Sequence, residues 1–202
     1  MGSVLLGGER DGVLIDGFDL DNNPLAYTPE VVADKTIVFT TSNGTRALLR
    51  AAEADRILIG SFVNLQAVVN LLVADTRPIH LICAGTMGRV SLEDVLCAGG
   101  ICHRLQIWAD EYGVGDDFDC DDDQTQLALD HYWFRAAAPV DNDSAAIDET
   151  LQMSRGGRNC LRLGFAEQIT RAATYDLFDF VPEYDKSAKS ITITAPLLTP
   201  HS

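Results

Sequence analysis

Between residues 36 and 105 the chain alternates short apolar runs with longer segments in which apolar residues recur every three or four positions. Short runs rich in β-branched residues are typical of buried strands, and the longer spacing is typical of amphipathic helices. The pattern predicts strands over 36–41, 56–60 and 79–84, and helices over 45–54, 65–74 and 92–105. Three β-α units joined by short loops favour an α/β fold whose parallel sheet is covered by helices on both faces.

The flanking segments are less regular. A short strand is predicted over 13–15, and residues 1–12 show no clear start of an element. Helices are predicted over 123–138, 144–155 and 166–175, followed by an extended tail at 181–182 and 191–194. Two consecutive glycines, Gly156 and Gly157, are expected to end the second of these helices. We therefore divide the chain into 1–34 with connecting turns, a β-α core over 35–109, an acidic loop over 110–123, and C-terminal helices and a tail over 124–202.

Composition limits the kinds of molecule that the protein can bind and the cellular compartment in which we expect it. The 202 residues are 47% hydrophobic and 22% charged, values typical of a globular chain that buries a core. The net charge of −15 argues against nucleic acid and anionic membranes as partners. The five cysteines are odd in number and form no C-x-x-C pair, and no apolar run is long enough to span a bilayer. We expect free thiols and a cytoplasmic location.

The loop after the strand over 36–41 is the first candidate for chemistry. It contains Ser42, Asn43, Gly44 and Thr45, and Arg46 follows in the first turn of the predicted helix. Hydroxyls, a glycine and free helix N–H groups could hold an anion, which would also offset the unfavourable position of Arg46 relative to the helix dipole. The alternative is that Ser42 or Asn43 only caps the helix.

The loop after the strand over 79–84 is the second candidate. Ser91 and Asp94 fit an S-x-x-D capping pattern, which alone would explain the aspartate. Alternatively, Glu93 or Asp94 supplies a carboxylate to Mg²⁺, which proteins bind through one or two carboxylates and substrate oxygens. Cys83 at the strand end is a candidate nucleophile, although burial in apolar surroundings makes a thiol inert.

Several segments together resemble the 2-phosphosulfolactate phosphatase family through about residue 182. They are LLGGER (5–10), GFDLDNNP (17–24), TTSNGTRAL (40–48), SFVN (61–64), CAG (83–85), SLEDVLCAGGI (91–101) and SRGGRNCLRLGF (154–165). The resemblance implies a Mg²⁺-dependent phosphatase that releases phosphate from 2-phosphosulfolactate to give sulfolactate, a step towards coenzyme M. It also implies a three-layer α/β/α fold with a largely parallel sheet and Rossmann-like β-α alternation, in two similar halves with the active site between them.

The resemblance further implies that the family's N-terminal segment is missing here. Family members begin with several dozen further residues that contain an apolar strand and a D-V-L-R-A-type motif, so residues 1–34 would be the remnant of an N-terminal half. A sheet shortened in this way would expose apolar surface, which predicts association into a homo-oligomer or poor solubility. Two other functions stay open: an inactive or truncated α/β module that binds a small anion, and a phosphatase of another small phosphate ester.

The two loops and the resemblance together predict a site for a small anionic phosphate ester. The expected catalytic residues are Asn43, Arg46, Glu93 and Asp94. The expected substrate-binding residues are Arg10, Ser42, Gly44, Thr45 and Arg89. The expected ligands of Mg²⁺ are Asp19, Glu93 and Asp94.

Overall fold

Helices and strands are mixed in the protein, as the α/β prediction requires. The computed structural model describes residues 3–10, 12–114, 120, 122–137 and 144–194. The strands are β1 (Val4–Arg10), β2 (Val13–Leu14), β3 (Thr36–Thr40), β4 (Val181–Asp185) and β5 (Ser190–Thr194). The α-helices are α1 (Pro29–Val32), α2 (Gly44–Arg50), α3 (Leu65–Val73), α4 (Leu92–Tyr112), α5 (Asp123–Tyr132), α6 (Ser144–Met153), α7 (Arg155–Arg162) and α8 (Ala166–Ala173). Short 3₁₀ turns cover Pro24–Ala26 and Phe62–Asn64, and a π-turn covers Trp133–Ala137.

The strands form two small sheets. In the first, β1 lies between β2 and β3 and pairs with β3 in parallel, from Val4 opposite Thr36 to Gly8 opposite Thr40. The pairing of β1 with β2 is antiparallel, and β4 and β5 form a separate antiparallel hairpin. Within the described residues the first sheet is therefore mixed and the second is antiparallel, so the predicted sheet of consecutive parallel strands is not confirmed.

Two predicted strands are absent from the described residues. Residues 56–60 lie against the C-terminal hairpin, where Leu58 bridges Glu183 and the Ile59 amide donates to the Pro182 carbonyl at 2.9 Å. Arg56 strengthens this contact through a two-pronged ion pair with Glu183, at 2.9 and 2.8 Å. Residues 79–84 form no strand and line a cavity together with Phe39 of β3. The prediction of strands at 56–60 and 79–84 is wrong because residues 56–60 make only an isolated bridge to β4, and residues 79–84, where Leu81 and Ile82 are exposed, pair with no strand among the described residues.

The sequence does not predict strand β1, because the segment contains two glycines, which are rare in strands. Gly7 and Gly8 lower the strand propensity of the segment. Both are needed for close packing: a Cβ at Gly7 would lie 2.7 Å from Cδ2 of Phe39, and one at Gly8 would lie 2.9 Å from the Thr40 carbonyl oxygen. The two glycines therefore allow β1 to lie against β3.

The hydrophobic core lies among the helices. Its most deeply buried members come from α3, α4, α5, α6 and β4: Leu65, Val69, Leu96, Tyr132, Ile147 and Val181. In contrast, β3 exposes apolar side chains, with 54% of Val38 and 48% of Phe39 open to solvent. The first sheet therefore lies outside the packed core and carries loops on its ends.

The helices confirm most of the periodic pattern, but α2 is shorter than predicted, α4 is longer and α7 is not predicted at all. Helix α4 continues to Tyr112, so part of the predicted acidic loop is helical, while residues 115–119 and 121 lie outside the described residues. Asp122 caps α5 by accepting a hydrogen bond from the Thr125 amide at 2.9 Å. Gly156 and Gly157 do not end a helix but lie in the first turn of α7.

Among the described residues, no helix has the length and apolar character needed to cross a membrane.

The contact between α4 and α5 depends on Gly99. A Cβ at this position would overlap the Ala128 carbonyl oxygen and lie 2.8 Å from Cβ of Tyr132. We expect Gly99→Ala to lower the free energy of unfolding by about 1–3 kcal/mol, because overpacking forces the two helices apart. Urea unfolding measures the change. Gly60→Ala is the control, since its nearest neighbour would lie at 3.4 Å, and it should shift the value by about 0.5 kcal/mol or less. Equal stability of both variants would contradict this packing.

Candidate active site

The loop after β3 is closed by a threonine instead of by the predicted caps. The Gly44 amide donates to Oγ1 of Thr41 at 2.8 Å. Neither predicted cap is used: Asn43 makes no side-chain capping bond to α2, and the Ser42 hydroxyl donates to Oε1 of Glu9 at 3.1 Å. Asn43 and Ser42 are therefore free to connect this loop to other elements.

A tight hairpin joins the second candidate loop to the first. Thr86 and Arg89 exchange two backbone hydrogen bonds, at 2.9 and 3.1 Å. Met87 and Gly88 between them both have positive φ values, 53° and 74°, as a type I′ turn requires. Methionine is strained in this conformation, and strain of this kind is typical of functional loops. The Met87 amide donates to Oδ1 of Asn43 at 3.1 Å, so the two loops predicted from the sequence meet.

Asp94 anchors the hairpin to α4. Its Oδ2 accepts a hydrogen bond from the Gly85 amide at 2.6 Å. Ser91, the residue before the helix, makes no side-chain capping bond, and its hydroxyl lies 3.0 Å from Oγ1 of Thr86. The capping interpretation of Asp94 is therefore wrong, because its carboxylate is engaged by the neighbouring loop. Burial raises the pKa of Asp94, Glu93 raises it further, and the Gly85 bond acts in the opposite direction.

Glu93 faces a different neighbour. A Cβ at Gly156 would lie 2.5 Å from Oε1 of Glu93, so this carboxylate lies against the first turn of α7. Its Oε2 is buried and has no hydrogen-bond partner among the described residues. Burial and the nearby Glu93 raise the pKa of Cys160. The first turn of α4 thus contacts the hairpin on one side and α7 on the other.

The other predicted residues lie at the edges of this arrangement. Oδ2 of Asp19 accepts from the Leu6 amide at 2.8 Å, and Arg10 donates to the carbonyl of its neighbour Glu9 at 2.8 Å. Arg46 and Arg89 are exposed, and neither takes part in an ion pair within the described part of the chain. The three carboxylates predicted to bind Mg²⁺ contact different partners: Asp19 the Leu6 amide, Glu93 the first turn of α7, and Asp94 the Gly85 amide. Across residues 3–10, 12–114, 120, 122–137 and 144–194, no group of three His, Cys, Asp or Glu side chains is placed to hold a metal ion.

A cavity of about 830 Å³ connects the two loops. Thr41, Gly44 and Thr45 line it from one loop, and Cys83 and Asp94 line it from the other. The remaining walls come mostly from residues 51–60 and 75–84, with smaller apolar contributions from α2, α3 and α4. Cys83 is an exposed residue, but partial burial of its sulfur and the neighbouring Asp94 raise the pKa of the thiol, which argues against a nucleophilic role.

Known proteins match this chain along most of its length. A family model described as 2-phosphosulpholactate phosphatase matches residues 1–187. The chain belongs to the 2-phosphosulfolactate phosphatase family. A probable 2-phosphosulfolactate phosphatase of Caldanaerobacter subterraneus subsp. tengcongensis is 37% identical over 181 residues, which are 90% of this chain and 68% of that protein. The protein of the same description from Symbiobacterium thermophilum is 37% identical over 180 residues, 89% of this chain and 71% of its own length.

A shorter stretch is more similar still. A probable 2-phosphosulfolactate phosphatase of Caldicellulosiruptor saccharolyticus is 51% identical over 102 residues, 48% of this chain and 42% of that protein. Membership of the 2-phosphosulfolactate phosphatase family confirms the resemblance stated from the sequence motifs.

For this member of the family, the structure adds two residues that the motif analysis did not select. Glu9 accepts the Ser42 hydroxyl, and Arg155 lies with Nη2 at 3.7 Å from Sδ of Met87. The glycines after Arg155 gave a signal, because two glycines in a helical first turn indicate close contact with another element. Because the sequence analysis interprets these glycines as the end of a helix, it does not identify Arg155 as a site residue.

The raised pKa of Asp94 gives a pH dependence of stability. In the folded chain the pKa of Asp94 lies above its ordinary value of 3.8, so its contribution to the free energy of unfolding is fully present below pH 3.8. That contribution is lost as the pH rises through the folded-state pKa, because the buried carboxyl group then ionises. Asp94→Asn removes this loss of stability, because the amide does not ionise, and it keeps an oxygen that can accept the hydrogen bond from the Gly85 amide. Relative to wild type, the variant should therefore gain stability between pH 4 and neutrality, as measured by urea unfolding at several pH values.

Asp110→Asn is the matched control, because it removes an exposed charge from the same helix. It should show no comparable gain. A stability difference between Asp94→Asn and wild type that stays constant with pH would contradict the burial of this carboxylate.

Proposed function

We propose that this chain is a phosphatase that hydrolyses 2-phosphosulfolactate to sulfolactate and inorganic phosphate with the help of Mg²⁺. Family membership supports the reaction. The observation that carries the assignment of the site is the hydrogen bond from the Met87 amide to Asn43, which brings the loop of Arg46 to the hairpin anchored by Asp94. The substrate is highly anionic, and exposed arginines lie on both loops.

The loop over 42–46 is the proposed phosphate-binding element. Thr45 offers a hydroxyl, Asn43 is held by the hairpin, and the exposed Arg46 offers a planar set of donors suited to phosphate. Ser42 would have to turn its hydroxyl from Glu9 to the phosphate. Arg89 at the base of the hairpin and Arg10 at the end of β1 are proposed as further cationic contacts. The net charge of −15 gives no long-range attraction for an anion, so binding depends on these local groups.

Asp94 is the best-supported carboxylate for the proposed Mg²⁺. It lines the same cavity as Thr41, Gly44 and Thr45, and one or two carboxylates with substrate oxygens suffice for this ion. Glu93 and Asp19 do not line this cavity; Glu93 is the second candidate because its buried Oε2 has no hydrogen-bond partner among the described residues, and Asp19 is the third. When bound, Mg²⁺ would neutralise charge on the phosphoryl oxygens and orient the attacking water. Asn43 and Arg46 would hold the phosphate while that charge moves to the leaving oxygen.

We also propose the three-layer α/β/α arrangement and self-association for the complete assembly. Exposed apolar residues on β3 and on residues 79–84, among them Val38, Phe39 and Ile82, support additional cover on the sheet. The cytoplasmic location and the absence of nucleic-acid and membrane partners stay predictions.

The reaction is tested by release of inorganic phosphate from 2-phosphosulfolactate. We expect turnover with Mg²⁺ and its loss after chelation, restored when Mg²⁺ is added back. Turnover that is insensitive to chelator would reject the metal, and a higher kcat/KM for another phosphate ester would reject the substrate. Absence of phosphate release from every ester would favour a module that only binds anions.

Arg46→Ala tests the phosphate-binding loop. Loss of a charged hydrogen-bond donor costs about 1.5–3 kcal/mol, so kcat/KM should fall about 10- to 100-fold with little change in the thermal midpoint. Arg50→Ala is the control, because Arg50 is exposed in the last turn of the same helix. Equal kinetics for the Arg46 variant and wild type would refute the role of this loop.

A further inference from the structure

Arg155 lies beside the candidate site although it is distant from both loops in the sequence. It is the first residue of α7 and is exposed. Its Nη2 lies 3.7 Å from Sδ of Met87, and the Met87 amide donates to Asn43. The tip of the hairpin is therefore in contact with the proposed phosphate-binding loop on one side and with a guanidinium group on the other.

No carboxylate is paired with Arg155 among the described residues. Other arginines of the protein have such partners: Arg56 binds Glu183 at 2.8 Å, and Arg104 binds Asp176 at 2.8 Å. A thioether sulfur is only a weak hydrogen-bond acceptor. Arg155 therefore keeps most of its donors available for an anion.

The backbone of Arg155 is held in place because this residue begins a capped helix. Ser154, which is 1% exposed, accepts a hydrogen bond from the Gly157 amide at 2.9 Å and begins the helix. Gly156 lies against the Glu93 carboxylate. Since Asp94, the next residue, holds the hairpin at Gly85, one turn of α4 contacts both the start of the helix that carries Arg155 and the hairpin that carries Met87.

The substrate has three anionic groups: a phosphate, a carboxylate and a sulfonate. The carboxylate is attached directly to the carbon that bears the phosphate, while the sulfonate is one carbon further away. We propose that Arg155 binds the sulfonate and so selects the sulfonated substrate, an inference that rests on the proposed function. The guanidinium donors match the three sulfonate oxygens. Arg155 lies outside the phosphate-binding loop and is linked to it through Met87, which contacts both Arg155 and Asn43.

The test compares two substrates that differ in this one group. 2-Phospholactate keeps the phosphate and the carboxylate but has a methyl group in place of the sulfonated carbon. Arg155→Ala should lower kcat/KM for 2-phosphosulfolactate about 10- to 100-fold and should change kcat/KM for 2-phospholactate about threefold or less. Arg158→Ala, on the same helix with its guanidinium on the Met153 carbonyl, should change neither value. Thermal unfolding of each variant shows that the fold is kept.

Binding of the product separates this inference from the proposed function. Titration with sulfolactate in the presence of inorganic phosphate gives an affinity that does not depend on turnover. Arg155→Ala should weaken that affinity at least about tenfold, with Arg158→Ala unchanged. An equal loss of kcat/KM on both substrates, or an unchanged sulfolactate affinity, would overturn the assignment of Arg155. Absence of turnover in a wild-type chain that binds sulfolactate through Arg155 would reject the phosphatase activity alone.

Discussion

The bond between the Asp94 carboxylate and the Gly85 amide supports the rest of the candidate site. At 2.6 Å and in a half-buried position, it is a charge-assisted hydrogen bond in a medium less polar than water. It ties the extended run over 79–84 to the start of α4, and from there the hairpin reaches Asn43. Glu93 extends the same turn to α7. Three segments that are far apart in the sequence therefore share one rigid support.

Helix α4 joins the site to the hydrophobic core. Its first turn carries the two carboxylates, and its middle contributes Leu96, Ile101 and Leu105 to the core. The first sheet contributes little to that core and exposes Val38 and Phe39. Displacement of α4 would therefore alter the site, whereas changes at the surface of the sheet would leave the packed helices in place.

The sequence predicts the helices and the two loops well because both are local features. The periodic apolar residues of α3 and α4 and the polar residues after β3 are visible within windows of about ten residues. Long-range pairing is not visible in this way. Residues 56–60 contact β4 through Glu183, which lies 127 positions from Arg56 in the sequence. No local pattern shows whether such an apolar run forms a full strand or a single bridge.

Two local signals were misleading for a related reason. Ser91 and Asp94 fit a capping box, but the Asp94 carboxylate accepts a hydrogen bond from the Gly85 amide and does not cap the helix. Gly156 and Gly157 fit a helix end, yet they are required where α7 lies against Glu93 and the Leu151 carbonyl. In both cases a residue type suited to one local role is used for a tertiary contact, and both contacts lie at the candidate site.

A crystal structure of the chain with orthovanadate and sulfolactate bound would test the central claim most directly. Our account predicts the vanadate within hydrogen-bond distance of residues 42–46 and the organic anion at the hairpin over 86–89, with Asp94 on the same side. Density for both anions at a different place, such as the polar cavity of about 330 Å³ lined by His103, Arg104 and Glu111, would contradict it.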